Sequence, residues 1–147
     1  PELQSLSAAF QSFRNKRYVN GLLAKKNDLS PNGEPFSMRK WTRWYVELVG
    51  PSLVFWNGNA RQMLDADRIA HLKSVVMPNH INITDSSAVI VGTQKKRQCV
   101  FSLNTSGANR FYFQAESDLD MHIWIRGIRL ACYEATKLYE AYSSRLL

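Results

Sequence analysis

The sequence predicts a mainly β fold: two orthogonal antiparallel sheets or a partly open barrel, closed at one end by one long C-terminal α-helix. Three observations predict it. About seven short strand-like runs, separated by turn residues, occupy positions 17–115. A single long amphipathic pattern follows them. That pattern carries Trp124, a large aromatic where a barrel end needs a stopper. A chain of 147 residues is long enough for one domain with a sizeable core.

Leu3, Leu6, Phe10 and Phe13 recur at helical spacing and predict a short amphipathic helix over 2–14. Its length makes it unstable alone, so it is expected to dock on the rest of the domain. Residues 17–26 read as the first strand, with Val19, Gly21 and Leu23 on one face. Residues 27–35 hold Pro31, Pro35, Gly33 and two asparagines and read as a long loop. The second strand is expected over 38–49, where Trp44, Val46 and Leu48 alternate with Arg43, Tyr45 and Glu47. One face should be buried and the other polar or amphipathic.

Gly50-Pro51 turns the chain into a third strand at 52–56, which Asn57-Gly58-Asn59 ends. Residues 60–72 are ambiguous and could form a helical turn within a long connection. A fourth short strand is expected at 73–77, stopped by Pro78-Asn79, with a further strand piece at 81–84. The runs 88–92 and 98–104 form a hairpin whose connection, 93–97, is strongly basic. Ser106 to Asn109 is a turn, and 110–115 is the last strand.

Ser117, with Asp120 three residues on, makes a capping-box pattern at the start of the helix. Met121, Trp124, Ile125, Ile128, Cys132, Ala135, Leu138, Tyr139 and Tyr142 follow helical spacing to about residue 143. Trp124 and Ile128 are read as core. The second half of this helix outruns the barrel end. It is expected either to pack on the N-terminal apolar stripe or to present a partner surface. The expected organisation is thus a helical extension at 1–16, a domain at 17–131, and a helix extension at 132–147.

Net charge is +7 and the pI about 9.7, which favours an anionic partner. Nucleic acid is not expected, because the basic residues are not interleaved with an RNA-binding aromatic motif. No apolar run approaches the ~20 residues of a membrane-spanning helix, so no transmembrane segment is expected. The start, Pro1-Glu2-Leu3-Gln4-Ser5, lacks a basic and apolar leader, and a chain opening on Pro1 is expected to be cut from a longer protein. Cys99 and Cys132 read as reduced thiols at or near the core of an intracellular protein. His71, His80 and His122 have no metal-ligand spacing. The glycines are isolated in turns and no nucleophile–base pattern stands out, so neither an enzyme, a cofactor nor a metal is expected.

Four motifs in order resemble the pleckstrin-homology (PH) family. Gly21-Leu22-Leu23-Ala24-Lys25 is similar to its first strand. The stretch from Lys40 through Trp41, Arg43 and Trp44 to Leu48 is similar to its second. Phe101-Ser102-Leu103 and Arg110-Phe111-Tyr112-Phe113 resemble its sixth and seventh. Trp124 falls at the family's helix tryptophan. The similarity covers roughly 17–131. In detail the chain most resembles PH domains of fungal proteins associated with the CCR4–NOT complex and with bud-site or cell-wall functions.

The resemblance implies a seven-stranded barrel capped by a helix, in a non-enzymatic module that targets membranes. Acidic phospholipids, phosphoinositides or phosphatidylserine, would bind between the first two strands. The expected address is the cytoplasmic side of the plasma membrane, including bud or bud neck. Lys25 and Arg43 match the family's basic pattern. Trp41 replaces its middle cation, so moderate affinity and limited headgroup selectivity are expected.

The residues themselves add detail. Phosphomonoesters need several converging cations, which Arg and Lys supply. Headgroup candidates are Lys25, Lys26, Arg39, Lys40 and Arg43. On a strand, Arg39, Trp41, Arg43 and Tyr45 would share a face with Lys40 opposite. Trp41 suits a membrane interface. Lys95, Lys96 and Arg97 at the hairpin tip would add attraction to an anionic leaflet. Leu29 and Phe36 are loop side chains able to reach the interface or to fold back. A protein-interaction scaffold that uses the extended C-terminal helix is the alternative function.

Overall fold

One strand is long enough to belong to two halves of a sheet, and it sets the architecture. In the computed structural model, which describes residues 2–29, 40–56 and 79–145, this strand is β1 (Arg17–Leu29). Its residues Arg17 to Lys25 pair with β2 (Thr42–Val49), and Ala24 to Leu29 pair with β7 (Arg110–Gln114). β3 (Ser52–Trp56) and β4 (Asn79–Asn82) extend the first half. β6 (Arg97–Asn104) and β5 (Ser87–Gln94) extend the second. All pairs are antiparallel, in the order β4-β3-β2-β1-β7-β6-β5. The expected partly open barrel is built from one open seven-stranded sheet, whose two halves join through β1.

Alternation puts the apolar side chains on the inner face. Leu23, Val46, Leu48, Leu53, Phe101 and Leu103 are at most 2% exposed. Phe55 stacks on Phe113 at 6.0 Å between ring centres, and Phe113 on Phe101 at 5.4 Å. Each such burial contributes about 1.5–3 kcal/mol.

The open end is closed by α2 (Asp118–Arg145). The Asp120 amide donates to the Ser117 hydroxyl at 3.1 Å, so the cap forms as the sequence predicts. Met121, Trp124, Ile125 and Ile128 enter the core, with Trp124 3% and Ile128 1% exposed.

The N-terminal helix α1 (Glu2–Arg14) packs along the far half of α2, where the Phe10 and Tyr142 rings meet edge-on at 6.4 Å. Glu134 ties α2 to the link after α1 and to β1. It accepts from Lys16 Nζ and Tyr18 Oη, both at 2.9 Å. The end of α1 lies against the β2–β3 turn. A Cβ on Gly50 (φ +53°) would come within 2.9 Å of the Arg14 Cα.

The structure departs from several expectations. β1 continues through Asn27, Asp28 and Leu29, where loop chemistry was expected, because β7 pairs with Asn27 and Leu29 across a bulge at Asp28, whose carboxylate Arg110 bonds at 2.5 Å. β2 starts at Thr42, and Lys40 and Trp41 lie outside it. Tyr45 and Glu47 are not on a solvated face. Tyr45 packs with Trp56, Leu22 and Val54 in a second apolar cluster, and the 3% exposed Glu47 pairs with Arg17 at 3.5 Å. The hairpin turn shrinks to Lys95 and Lys96, since strand pairing reaches Gln94 and Arg97. The strand expected at 73–77 and the segment 60–72 lie outside the described residues.

Candidate functional site

Lys25 sits at the corner where β1 passes from β2 to β7. It is two residues from Leu23 and pairs with Thr42, so it points to the inner face. Its ammonium lies 4.9 Å from the Phe55 ring centre and 5.2 Å from that of Phe111. Among the described residues no carboxylate pairs with it. Burial removes water from the charged form and holds its pKa below the usual lysine value. A half-buried cation over two ring faces is suited to receive an anion.

Arg43 pairs with Ala24, one position away in register, and so leaves the strand pair on the opposite, outer face. It is exposed. It borders a cleft of about 340 Å³ whose lining includes Leu22, Ala24, Gln114 and Glu116. The two residues that match the family pattern thus face opposite sides of the sheet.

The other cations divide in the same way. Lys26 is 8% exposed, on the outer face, with its ammonium 6.0 Å from the Trp41 ring centre. The Arg97 guanidinium lies 4.6 Å from the same ring centre and donates to Gln114 Oε1 at 2.5 Å. Gln114 in turn donates to the Gln98 carbonyl at 3.1 Å. Lys26, Trp41 and Arg97 are therefore brought together and held. Lys40, Lys95 and Lys96 are exposed. Lys95 takes the left-handed conformation (φ +55°) that the tight turn requires. Arg39 and Phe36 lie outside the described residues, and Leu29 is a half-buried strand residue paired with Arg110.

Sequence reasoning missed Phe55, Phe111 and Gln114 as parts of this corner. Each comes from a distant strand, and only the pairing register brings it there. Among the described residues no cluster of His, Cys, Asp and Glu is placed to hold a metal. No described helix is long and apolar enough to cross a membrane.

Comparison with known proteins agrees with this architecture. The chain is 26% identical over 162 residues to the CCR4-NOT transcriptional complex subunit CAF120 of Saccharomyces cerevisiae, covering 100% of this chain and 15% of the yeast protein. It is 26% identical over 99 residues to the human Rho guanine nucleotide exchange factor TIAM2, covering 67% of this chain and 5% of that protein. The chain thus spans a small part of the curated relatives it matches. Among solved structures, the pleckstrin homology domain of ArhGAP27 superposes with a TM-score of 0.58 at 13% identity, covering 78% of this chain and 97% of that one. The C-terminal PH domain of pleckstrin in complex with D-myo-Ins(1,2,3,5,6)P5 gives 0.57 at 14% identity, covering 80% and 97%. The Slm1-PH domain in complex with phosphoserine gives 0.55 at 15% identity, covering 80% and 96%. The family model for the PH domain matches residues 17–133, and the chain belongs to the PH-domain family.

Proposed function

We propose that this domain is a non-enzymatic membrane-targeting module that binds acidic phospholipids through the anion site at Lys25. The observation that carries this reading is the Lys25 ammonium, poised over Phe55 and Phe111 with no described carboxylate beside it. A phosphate oxygen there would supply the missing counter-charge through a charge-assisted hydrogen bond. Exposed Lys40, Arg43, Lys95 and Lys96 would add long-range attraction to the leaflet, with each cation near the surface contributing about 1 kcal/mol. The relatives solved with an inositol pentakisphosphate and with phosphoserine hold the two headgroup chemistries expected, phosphoinositide and phosphatidylserine. The plasma membrane, at its cytoplasmic face and including bud or bud neck, is the proposed address. Arg97 and Lys26 contribute less, because Trp41 and Gln114 already engage them.

The test is liposome sedimentation against neutral, phosphatidylserine and phosphoinositide vesicles. The wild type should bind the anionic vesicles and weaken with added salt, since surface attraction is screened within a Debye length. Lys25→Glu should remove most binding. Arg43→Gln should lower it about fivefold, as expected for one peripheral cation. Retained binding by Lys25→Glu would move the site off the inner face, and no binding to any anionic vesicle would sink the function.

A further inference from the structure

The face of α2 turned away from the barrel carries exposed residues at alternating steps of four and three: Leu119, Ile123, Arg126, Leu130, Tyr133 and Lys137. The apolar members are far from buried, with Leu119 69%, Ile123 44%, Leu130 47% and Tyr133 60% exposed. Isolated exposed apolar residues are ordinary on any surface, but four in line over about four turns are not. Alternating four- and three-residue steps average 3.5 residues, the period with which one helix receives another along a seam.

We infer that this stripe docks an amphipathic helix of a partner protein, one that carries carboxylates opposite Arg126 and Lys137. Both charges that interrupt the seam are exposed cations. Lys137 already meets Glu140 at 3.7 Å, but that pair is solvent-exposed and holds it weakly, so Arg126 is the stronger selector of a partner carboxylate. On the side of the stripe near β1, a groove of about 440 Å³ runs past Ile123 between Tyr18, Val19, Leu22 and Tyr45. It gives apolar side chains of the partner a depth to fill. Glu116 and Asp120 also line that groove, which confines the partner's carboxylates to the Arg126–Lys137 half.

A second copy of this chain fits poorly. An antiparallel pair matching Leu119 with Tyr133 and Ile123 with Leu130 sets Arg126 against Arg126. A parallel pair opposes both cations to themselves, and like charges across a helix seam are unfavourable. The helix α1 is already engaged elsewhere, with its Phe10 ring against Tyr142. The inference is independent of lipid binding, since it uses none of the residues assigned to the anion site.

Two synthetic amphipathic peptides with the same leucine seam test it. One carries Glu at two seam positions eleven residues apart, and the other carries Lys there. Each is titrated into the ¹⁵N-labelled 147-residue chain. The Glu peptide should shift amides at 119–137 and bind at least tenfold more tightly than the Lys peptide. Arg126→Glu should reverse that preference. Leu130→Asp should abolish binding at an unchanged thermal midpoint and circular dichroism spectrum. Equal affinity for the two peptides overturns the inference, and so do shifts confined to the α1–α2 contact at Phe10 and Tyr142. A dimer that Leu130→Asp dissolves assigns the stripe to a second copy and overturns it. Liposome binding that requires Leu119 and Leu130 assigns the stripe to the bilayer and overturns it as well.

Discussion

The Lys25 ammonium lies 4.9 Å from the centre of the Phe55 ring, on the barrel side of β1. An anion taken at that position, as proposed, would couple to the lysine's protonation. Burial disfavours the charged form, so the folded-state pKa falls below 10.5. Between that lowered value and 10.5 the unfolded chain binds more protons than the folded one, so this lysine makes stability rise with pH across that window. A bound phosphate favours the charged form and must raise the pKa again. The Lys25 ¹³Cε titration should therefore have its midpoint below 10.5 in the free protein and move upward with saturating inositol hexakisphosphate. An unmoved midpoint in the presence of bound ligand would place the anion elsewhere.

Local patterns were legible in the sequence where the cause is local. The spacing of Leu6, Phe10 and Phe13 marks α1, and Ser117 with Asp120 marks the start of α2, because capping and periodicity act within a turn. The opposite facing of Lys25 and Arg43 follows from alternation, Lys25 in step with Leu23 and Arg43 out of step with Trp44 and Val46. What was not legible is the pairing between strands that sets Arg43 against Ala24 and brings Phe55 and Phe111 to Lys25. Asp28 looked like loop chemistry until Arg110, a residue 82 positions away, supplied its partner. Arg97 looked like part of a free basic tip. It is instead drawn onto Trp41 and Gln114 from two other segments.

The Trp41–Arg97 contact should be measurable as a coupling. Their 4.6 Å separation predicts an interaction of about 0.5–1 kcal/mol, typical of a cation over an indole near the surface. A double-mutant cycle with Trp41→Ala and Arg97→Ala, read by urea unfolding, isolates that energy from each residue's burial. A coupling near zero would mean that the ring acts through packing alone.

Glu134 should make the docking of α1 sensitive to acid. Hydrogen bonds from Lys16 and Tyr18 hold its carboxyl below the usual value of 4.5. The folded pKa is depressed, so its contribution is complete above 4.5 and is lost as pH falls through the lowered value. The carboxylate is partly exposed, which limits the pair to about 0.2–1 kcal/mol. Hydrogen exchange should show α1 amides losing protection below that pH while β6 and β7 keep theirs. Glu134→Gln should give the same selective loss at about pH 7. A uniform loss across the sheet would contradict a role confined to the helix pair.

Gly127 sets how closely α2 approaches β1. A Cβ at this position would fall 2.4 Å from Val19 Cγ2 and 3.6 Å from Leu48 Cδ2. In a free helix, Gly→Ala stabilises by up to ~1 kcal/mol. Here the added methyl meets a β-branched side chain with little χ1 freedom, and such overpacking costs about 1–3 kcal/mol. Gly127→Ala should therefore lower stability by about 1 kcal/mol, with the sign opposite to helix propensity. Val19→Ala removes the obstructing methyls and on its own leaves a void beside the glycine. The double variant restores volume between helix and strand, so it should be more stable than the sum of the two single losses predicts. Urea midpoints of the four proteins decide it. Strictly additive losses would mean that the helix is not seated on Val19 at this position.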